Sequence, residues 1–191
     1  MDDATDDAAL TLHPLLAVRW SPTVFDAADE TTSTEVATIL EAARHAPSAG
    51  NAQPWAFVIG RRGDPVHARL VPYLKGSSRP WASTASLLVA NLCHRFVEDT
   101  DWDYSEFALY DLGQAVAHMT VQAQALGLFA RQFRAFDRKG LADEFAVPAH
   151  WEATTMTAFG RVPNGVTRKP QHHQARPRRP RSDIEWPIDN P

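Results

Sequence analysis

Three groups of residues in this sequence have side chains suited to chemistry. Near the start, Arg19-Trp20-Ser21-Pro22 sets a guanidinium and a hydroxyl two residues apart. Next, Ala46-Pro47-Ser48-Ala49-Gly50-Asn51-Ala52-Gln53-Pro54-Trp55 puts prolines, a glycine and two carboxamides into one connection ahead of an apolar run. A solvent loop has no need of the Trp, and a core has no need of the amides. Toward the end, Arg168 to Arg181 reads RKPQHHQARPRRPR, with six Lys or Arg and no acid. These types favour recognition by charge and hydrogen bonding. Guanidinium forks suit phosphate, and carboxamides offer donors and acceptors together. The basic run reads either as a solvated arm or as a segment that binds the phosphate of a nucleotide or cofactor. Its six charges leave −10 on the rest of a chain whose net charge is −4.

Other chemistries lack their residues. There is no GxGxxG after a strand, no GxxxxGK[ST], no HExxH and no GxSxG. His172-His173 are adjacent on a polar tail, a spacing that rarely chelates one metal, so no metal site is expected. Cys93 is the only cysteine, which excludes an intrachain disulfide framework and a Cys-based zinc site. The net negative charge argues against a general nucleic-acid binder; salt-sensitive DNA binding through the basic tail is the weakest functional reading. Residues 1–9, MDDATDDAA, are the reverse of a secretory n-region, and Leu87-Leu88-Val89-Ala90 falls far short of a membrane span. A cytoplasmic protein without membrane or nucleic-acid partners is therefore expected.

The elements that must position these groups follow from pattern. Leu12 to Val18 reads as a short first helix ending near Arg19. Thr32 and Glu35 have capping-box spacing, and Val36, Ile39, Leu40 and Ala43 form one apolar face of a second helix. Pro47 prevents that helix from continuing. Trp55–Ile59 reads as a buried strand, Pro65 opens a helix to about Leu74, and Leu87–Leu92 is a second strand. From Phe107 to Leu126, apolar residues recur at alternating spacings of three and four, with Ala on the other faces. That nearly all-round apolar pattern predicts a long, central, buried helix rather than a surface one, capped by Gly127. A strand at Leu128–Phe133, a helix at Asp137–Phe145 and a strand at Thr154–Phe159 complete an α+β sandwich. At 191 residues one compact domain is expected: a disordered acidic N-terminus over 1–11, the domain over 12–165 and a basic arm over 166–191.

In this order the three groups resemble the FMN-dependent nitroreductase family. RWSPTVFD resembles its Arg-x-Ser-x-x-x-Phe opening. ILEAARHAPSAGNAQPW resembles its Pro-Ser-x-x-Asn-x-Gln-Pro-Trp signature, Tyr110-Asp111-Leu112-Gly113-Gln114 its central helix, and Phe136-Asp137 the turn that follows. The resemblance implies an α/β/α sandwich with a mostly antiparallel sheet. It also implies a homodimer that exchanges C-terminal arms, with two FMN sites at the subunit interface. By carry-over, Arg19 and Ser21 reach the phosphate, ribityl or pyrimidine end of FMN, with Trp20 beside them. Arg176 and Arg178 close on the phosphate from the tail. Pro47, Ser48, Asn51 and Gln53 lie against the flavin of the other subunit, and Ser78 and Trp81 fall where the family lines its substrate pocket.

Two positions depart from the family's pattern. Thr23 stands where a basic residue usually faces the flavin N1–O2 edge, and the missing cation implies a lower potential or slower reduction. Arg134-Ala135 replaces Glu-Gly or Gly-Gly, whose backbone N–H groups contact flavin N5 and O4. Arg134 either steers an anionic substrate or a nicotinamide phosphate, or simply faces solvent. The implied activity passes a hydride from NADH or NADPH through flavin N5 to nitroaromatic or quinone-type acceptors, in ping-pong fashion, with no catalytic acid, base or nucleophile from the chain. The alternative is a protein that binds or stores FMN with little turnover.

Overall fold

The computed structural model describes residues 11–166 and 178–187. Helix α1 (Pro14–Val18) starts with Pro at its first turn and rests against the long helix α5 (Ala108–Ala125). Helix α2 (Ser33–Arg44) begins in the expected capping box, with Thr32 accepting from the Glu35 amide and Glu35 accepting from the Thr32 amide at 2.7 Å. Strand β1 (Trp55–Arg61) runs two residues past the expected end, through Gly60. There the backbone packs so closely on the next helix that a Cβ would lie 2.6 Å from the His67 nitrogen. Helix α3 (Pro65–Leu70) stops four residues short of the predicted Leu74, because Pro72 has no N–H to continue it. Helix α4 (Arg79–Ala82) has no counterpart in the sequence pattern.

Strands β2 (Leu87–His94), β3 (Phe129–Phe133) and β4 (Trp151–Gly160) join β1 in one sheet of order β1-β2-β4-β3. Every neighbouring pair is antiparallel. Helix α6 (Arg138–Glu144), capped by Asp137, connects β3 to β4. One face of the sheet packs Leu88, Ala90, Met156 and Ala158 against Phe25, Leu70, Leu74, Trp81 and Leu141. The other packs Leu87, Val89 and Phe159 against Ile39, Ala43, Ala115, Met119 and Ala123 of α2 and α5. The result is a three-layer α/β/α arrangement. A register shift between Asn91 and Leu92 skips Thr154, so Ala153 joins Met156 on the same face although they are three positions apart.

Helix α5 (Ala108–Ala125) ends in a Schellman arrangement. Gly127 has φ 75°, its N–H donates to the Gln124 carbonyl, and the Leu128 N–H donates to the Ala123 carbonyl. Within the chain the expected burial is found on one face of this helix. Leu112, Ala115, Val116, Met119 and Ala123 are buried, but Leu109, Tyr110, Gly113 and Ala117 are exposed. Alanine fits either environment, so its abundance obscured which face meets the sheet. Among the described residues no helix is long and apolar enough to cross a membrane.

The chain leaving β4 is tied down by charge. Arg161 donates to Asp29 at 2.9 Å and to Glu35 at 2.7 Å, while Asp29 also accepts from Ser86. Burial acts to raise both carboxyls, but the hydrogen bonds outweigh it and hold each below its ordinary value. For Asp29 these come chiefly from Arg161; for Glu35 they come from Thr32 and Arg161. A depressed carboxyl binds fewer protons folded than unfolded, so its stabilisation is complete above about pH 5 and is lost as the pH falls through the lowered values. Arg161→Gln should therefore destabilise the protein by about 1–2 kcal/mol at pH 7, discounted for the exposure of the arginine. It should also flatten the loss of thermal stability between about pH 5 and pH 2. Thermal denaturation across that range checks both, and a parallel wild-type and variant profile would contradict the clamp.

Candidate functional site

Beyond α1 the chain is extended at Arg19, whose Nη1 reaches Ser21 Oγ at 3.5 Å. Strand alternation places Phe129, Arg131 and Phe133 on one face of β3, opposite buried Ala130. From there Arg131 Nη1 donates to the Ser21 carbonyl at 3.1 Å, and its guanidinium lies 4.8 Å over the Trp81 ring. Phe133 meets Trp81 edge-on at 5.0 Å, and Phe129 meets Trp20 edge-on at 5.6 Å. Two guanidinium groups thus converge on Ser21 beside aromatic surfaces. Thr23 is exposed two residues on. Arg131 is absent from the sequence-based set; its one signal was a charge in the middle of a predicted strand.

Past β3 the chain turns through Arg134-Ala135-Phe136. The Ala135 carbonyl accepts from the Lys75 amide at 3.0 Å and from Ser78 Oγ, and Leu74 bridges Phe136. The Ala135 N–H stays outside these bonds. Ser78 is 1% exposed and Trp81 9%, so both hold this turn and Arg131 from beneath, with little surface to offer a substrate. Arg134 is more than half exposed and stands 3.9 Å from Glu152, which binds Arg138 more closely at 2.9 Å.

The Pro47–Gln53 connection is built elsewhere. Asp111, buried in the first turn of α5, accepts from the Ala49 amide at 3.0 Å. Ser48 Oγ accepts from the Gln53 amide at 3.0 Å, and Tyr104 donates to the Ala52 carbonyl at 3.3 Å. Gly50, Asn51 and Gln53 all have positive φ, which lifts the exposed Asn51 and Gln53 away from the body of the chain. Asp111 and Tyr104 were not foreseen as supports, although Asp111 lies within the motif that carried the family resemblance.

The loop leads into β1, whereas Arg131 and the Ala135 turn belong to β3, and these are opposite edges of the sheet. Three strand spacings separate them, about 14 Å. Within one chain Arg19, Trp20, Ser21, Ser78, Trp81, Arg134 and Ala135 therefore gather at one edge, and Pro47, Ser48, Asn51 and Gln53 at the other. Arg178 is exposed, and Arg176 lies outside the described residues. A groove of about 600 Å³ lined by Glu98, Asp99, Asp101 and His150 includes none of these candidates.

The donor set suits FMN. Guanidinium groups and a hydroxyl match its phosphate, aromatic rings its flat face, and the Ala135 N–H and the exposed carboxamides its polar ring edges. Among the described residues no group of three His, Cys, Asp or Glu could hold a metal ion.

Comparison with known proteins agrees with this geometry. Residues 16–79 match the model of the nitroreductase family, the segment that holds Arg19, Ser21 and the whole Pro47–Gln53 loop. A crystal structure of an oxidoreductase containing FMN is 26% identical, covers 82% of this chain and 79% of its own, and superposes with a TM-score of 0.75. A nitroreductase family protein from Clostridium difficile is 20% identical over 90% of this chain and 95% of its own, with a TM-score of 0.72. A nitroreductase-like protein in complex with FMN from Desulfovibrio desulfuricans is 24% identical over 95% and 100%, with a TM-score of 0.68. No curated protein sequence matches the chain. The chain has the nitroreductase fold, and residues 16–79 match the sequence model of the nitroreductase family.

Proposed function

We propose that this protein is an FMN-dependent oxidoreductase acting on nitroaromatic or quinone-type acceptors, with NADH or NADPH as reductant. The observation that carries the reading is the convergence of Arg19 and Arg131 on Ser21, beside the Trp81-supported turn at Ala135, in a chain of the nitroreductase fold. When bound, FMN would supply the redox chemistry, two-electron transfer from a nicotinamide to the acceptor in two half-reactions. The chain's own work is binding and orientation. Arg19, Ser21 and the tail residues Arg176 and Arg178 hold the phosphate end, Trp20 flanks them, and the backbone N–H groups at Arg134-Ala135 face the ring edge. No nucleophile or general base is required of the protein.

The site is completed by a second copy. Asn51 and Gln53 stand at the far sheet edge, so a flavin seated by Arg19 meets them only across a dimer interface. Exposed Leu12, Leu16 and Val18 around α1, with Phe107, Leu109 and Tyr110 at the start of α5, supply apolar surface for that interface. The basic arm over 166–191 is the segment proposed to pack on the partner subunit. An FMN-binding protein with little turnover is the second reading, favoured by the uncharged, exposed Thr23.

Purified protein should be yellow, with one FMN per chain, and should bleach anaerobically with NADH or NADPH. Colour without bleaching would select the storage reading, and failure to take up FMN would end both. Arg19→Ala combined with Arg178→Ala should weaken FMN binding by at least about a hundredfold, since each charged hydrogen bond contributes about 1.5–3 kcal/mol. Asp111→Ala should cost about 1–3 kcal/mol of stability by leaving the Ala49 amide without its acceptor. If the loop serves a flavin site, the same change lowers FMN affinity, while Asp111→Asn, which keeps an acceptor, retains more of it. Equal FMN affinity in all three proteins would remove the loop from the site.

A further inference from the structure

We infer that Arg131 is itself a cofactor-contacting residue, its guanidinium joining that of Arg19 to hold an anionic group of FMN at Ser21. The inference rests on the FMN reading and adds a residue to it. Strand alternation sets Arg131 between Phe129 and Phe133 on the face of β3 that also meets Trp81. A guanidinium on such an aromatic face is costly to desolvate, and a strand could satisfy the packing there with an apolar side chain at less cost. Its placement on Trp81 at 4.8 Å keeps the plane fixed, as a cation held over a π-face is. Its hydrogen bond to the Ser21 carbonyl aims it at the residue that Arg19 reaches from the other side of the sequence.

Arg19 reaches the Ser21 hydroxyl and Arg131 the Ser21 carbonyl, so an anionic group bound at Ser21 has guanidinium donors within reach from two separate segments. FMN offers two such groups: its phosphate, and the N1–O2 ring edge that becomes negative on two-electron reduction. Thr23, exposed and uncharged, brings no guanidinium to this corner, whereas β3 brings the Arg131 donor.

The test uses full-length protein freed of flavin and titrated with FMN and with riboflavin, alongside Arg131→Met, Arg131→Gln and Arg131→Lys. Arg131→Met should bind FMN at least tenfold more weakly, and Arg131→Lys should recover most of the affinity. Arg131→Gln keeps a donor for the Ser21 carbonyl without the charge, so it should behave as Met does. It also serves in place of the Met variant if that fails to fold by circular dichroism. Contact with the phosphate predicts that only FMN binding suffers and the preference over riboflavin collapses. Contact with the ring edge predicts that both flavins bind more weakly and that reduced FMN suffers more. A tenfold difference between reduced and oxidised forms corresponds to a fall of about 30 mV in the two-electron potential. Wild-type affinity for both flavins with an unchanged potential in folded Arg131→Gln would overturn the inference. So would equal losses in the Gln and Lys variants, which would assign Arg131 to packing. If wild-type protein takes up no FMN, the FMN reading itself fails; if it does and the variants match it, only the role of Arg131 fails.

Discussion

Strands β2 and β4 are covered on both faces, and that constraint shapes everything polar in this protein. Leu87 to Cys93 is buried without interruption, and Met156 to Gly160 likewise. A strand sandwiched between α2 and α5 on one side and Trp81, Leu70 and Leu141 on the other has no room for solvated groups. Even Asn91, the amide buried in β2, spends its Nδ2 on Thr155 and Thr157 at 3.0 and 2.9 Å. Guanidinium groups and exposed carboxamides are consequently found at β1 and β3, the outer strands. With the two groups at opposite edges, the proposed flavin site draws on both only if a second copy of the chain contributes one of them.

Each of the two polar segments is held by a buried group from another part of the chain. Asp111 on α5 fixes Ala49, so the loop geometry depends on the helix lying against the sheet. Ser78, hidden beneath the β3 exit, fixes the Ala135 carbonyl. Trp81 supports Arg131 through its ring face. These contacts join residues tens of positions apart in sequence, and each ties a flexible connection to a packed layer. Positioning by buried supports restricts the loops before any ligand arrives, which reduces the ordering cost of binding.

Much of this was legible beforehand where the cause is local. The Thr32–Glu35 capping box, the Pro47 stop, the glycine after α5 and the strand runs all act over a few residues, and all occur where pattern places them. Ends were less legible where a distant contact intervenes. Strand β1 continues through Gly60 because α3 packs directly on it, and α3 ends early at Pro72. The family signature in Ala46–Trp55 was readable as a motif, but its support by Asp111 and Tyr104 was not, since nothing local links those residues to it.

By itself, the sequence determined the order of helices and strands other than α4, the three polar groups and the likeness to nitroreductases, because periodicity, capping and motif spacing are properties of short segments. Only the tertiary structure decided which residues share an edge. It brought Arg131 to Ser21 across 110 positions, put Ser78 and Trp81 beneath the site, exposed one face of α5 and shifted Ala153 onto the Met156 face through a bulge. Those outcomes depend on strand order and register, which are settled by how whole layers pack, and no short segment contains that information.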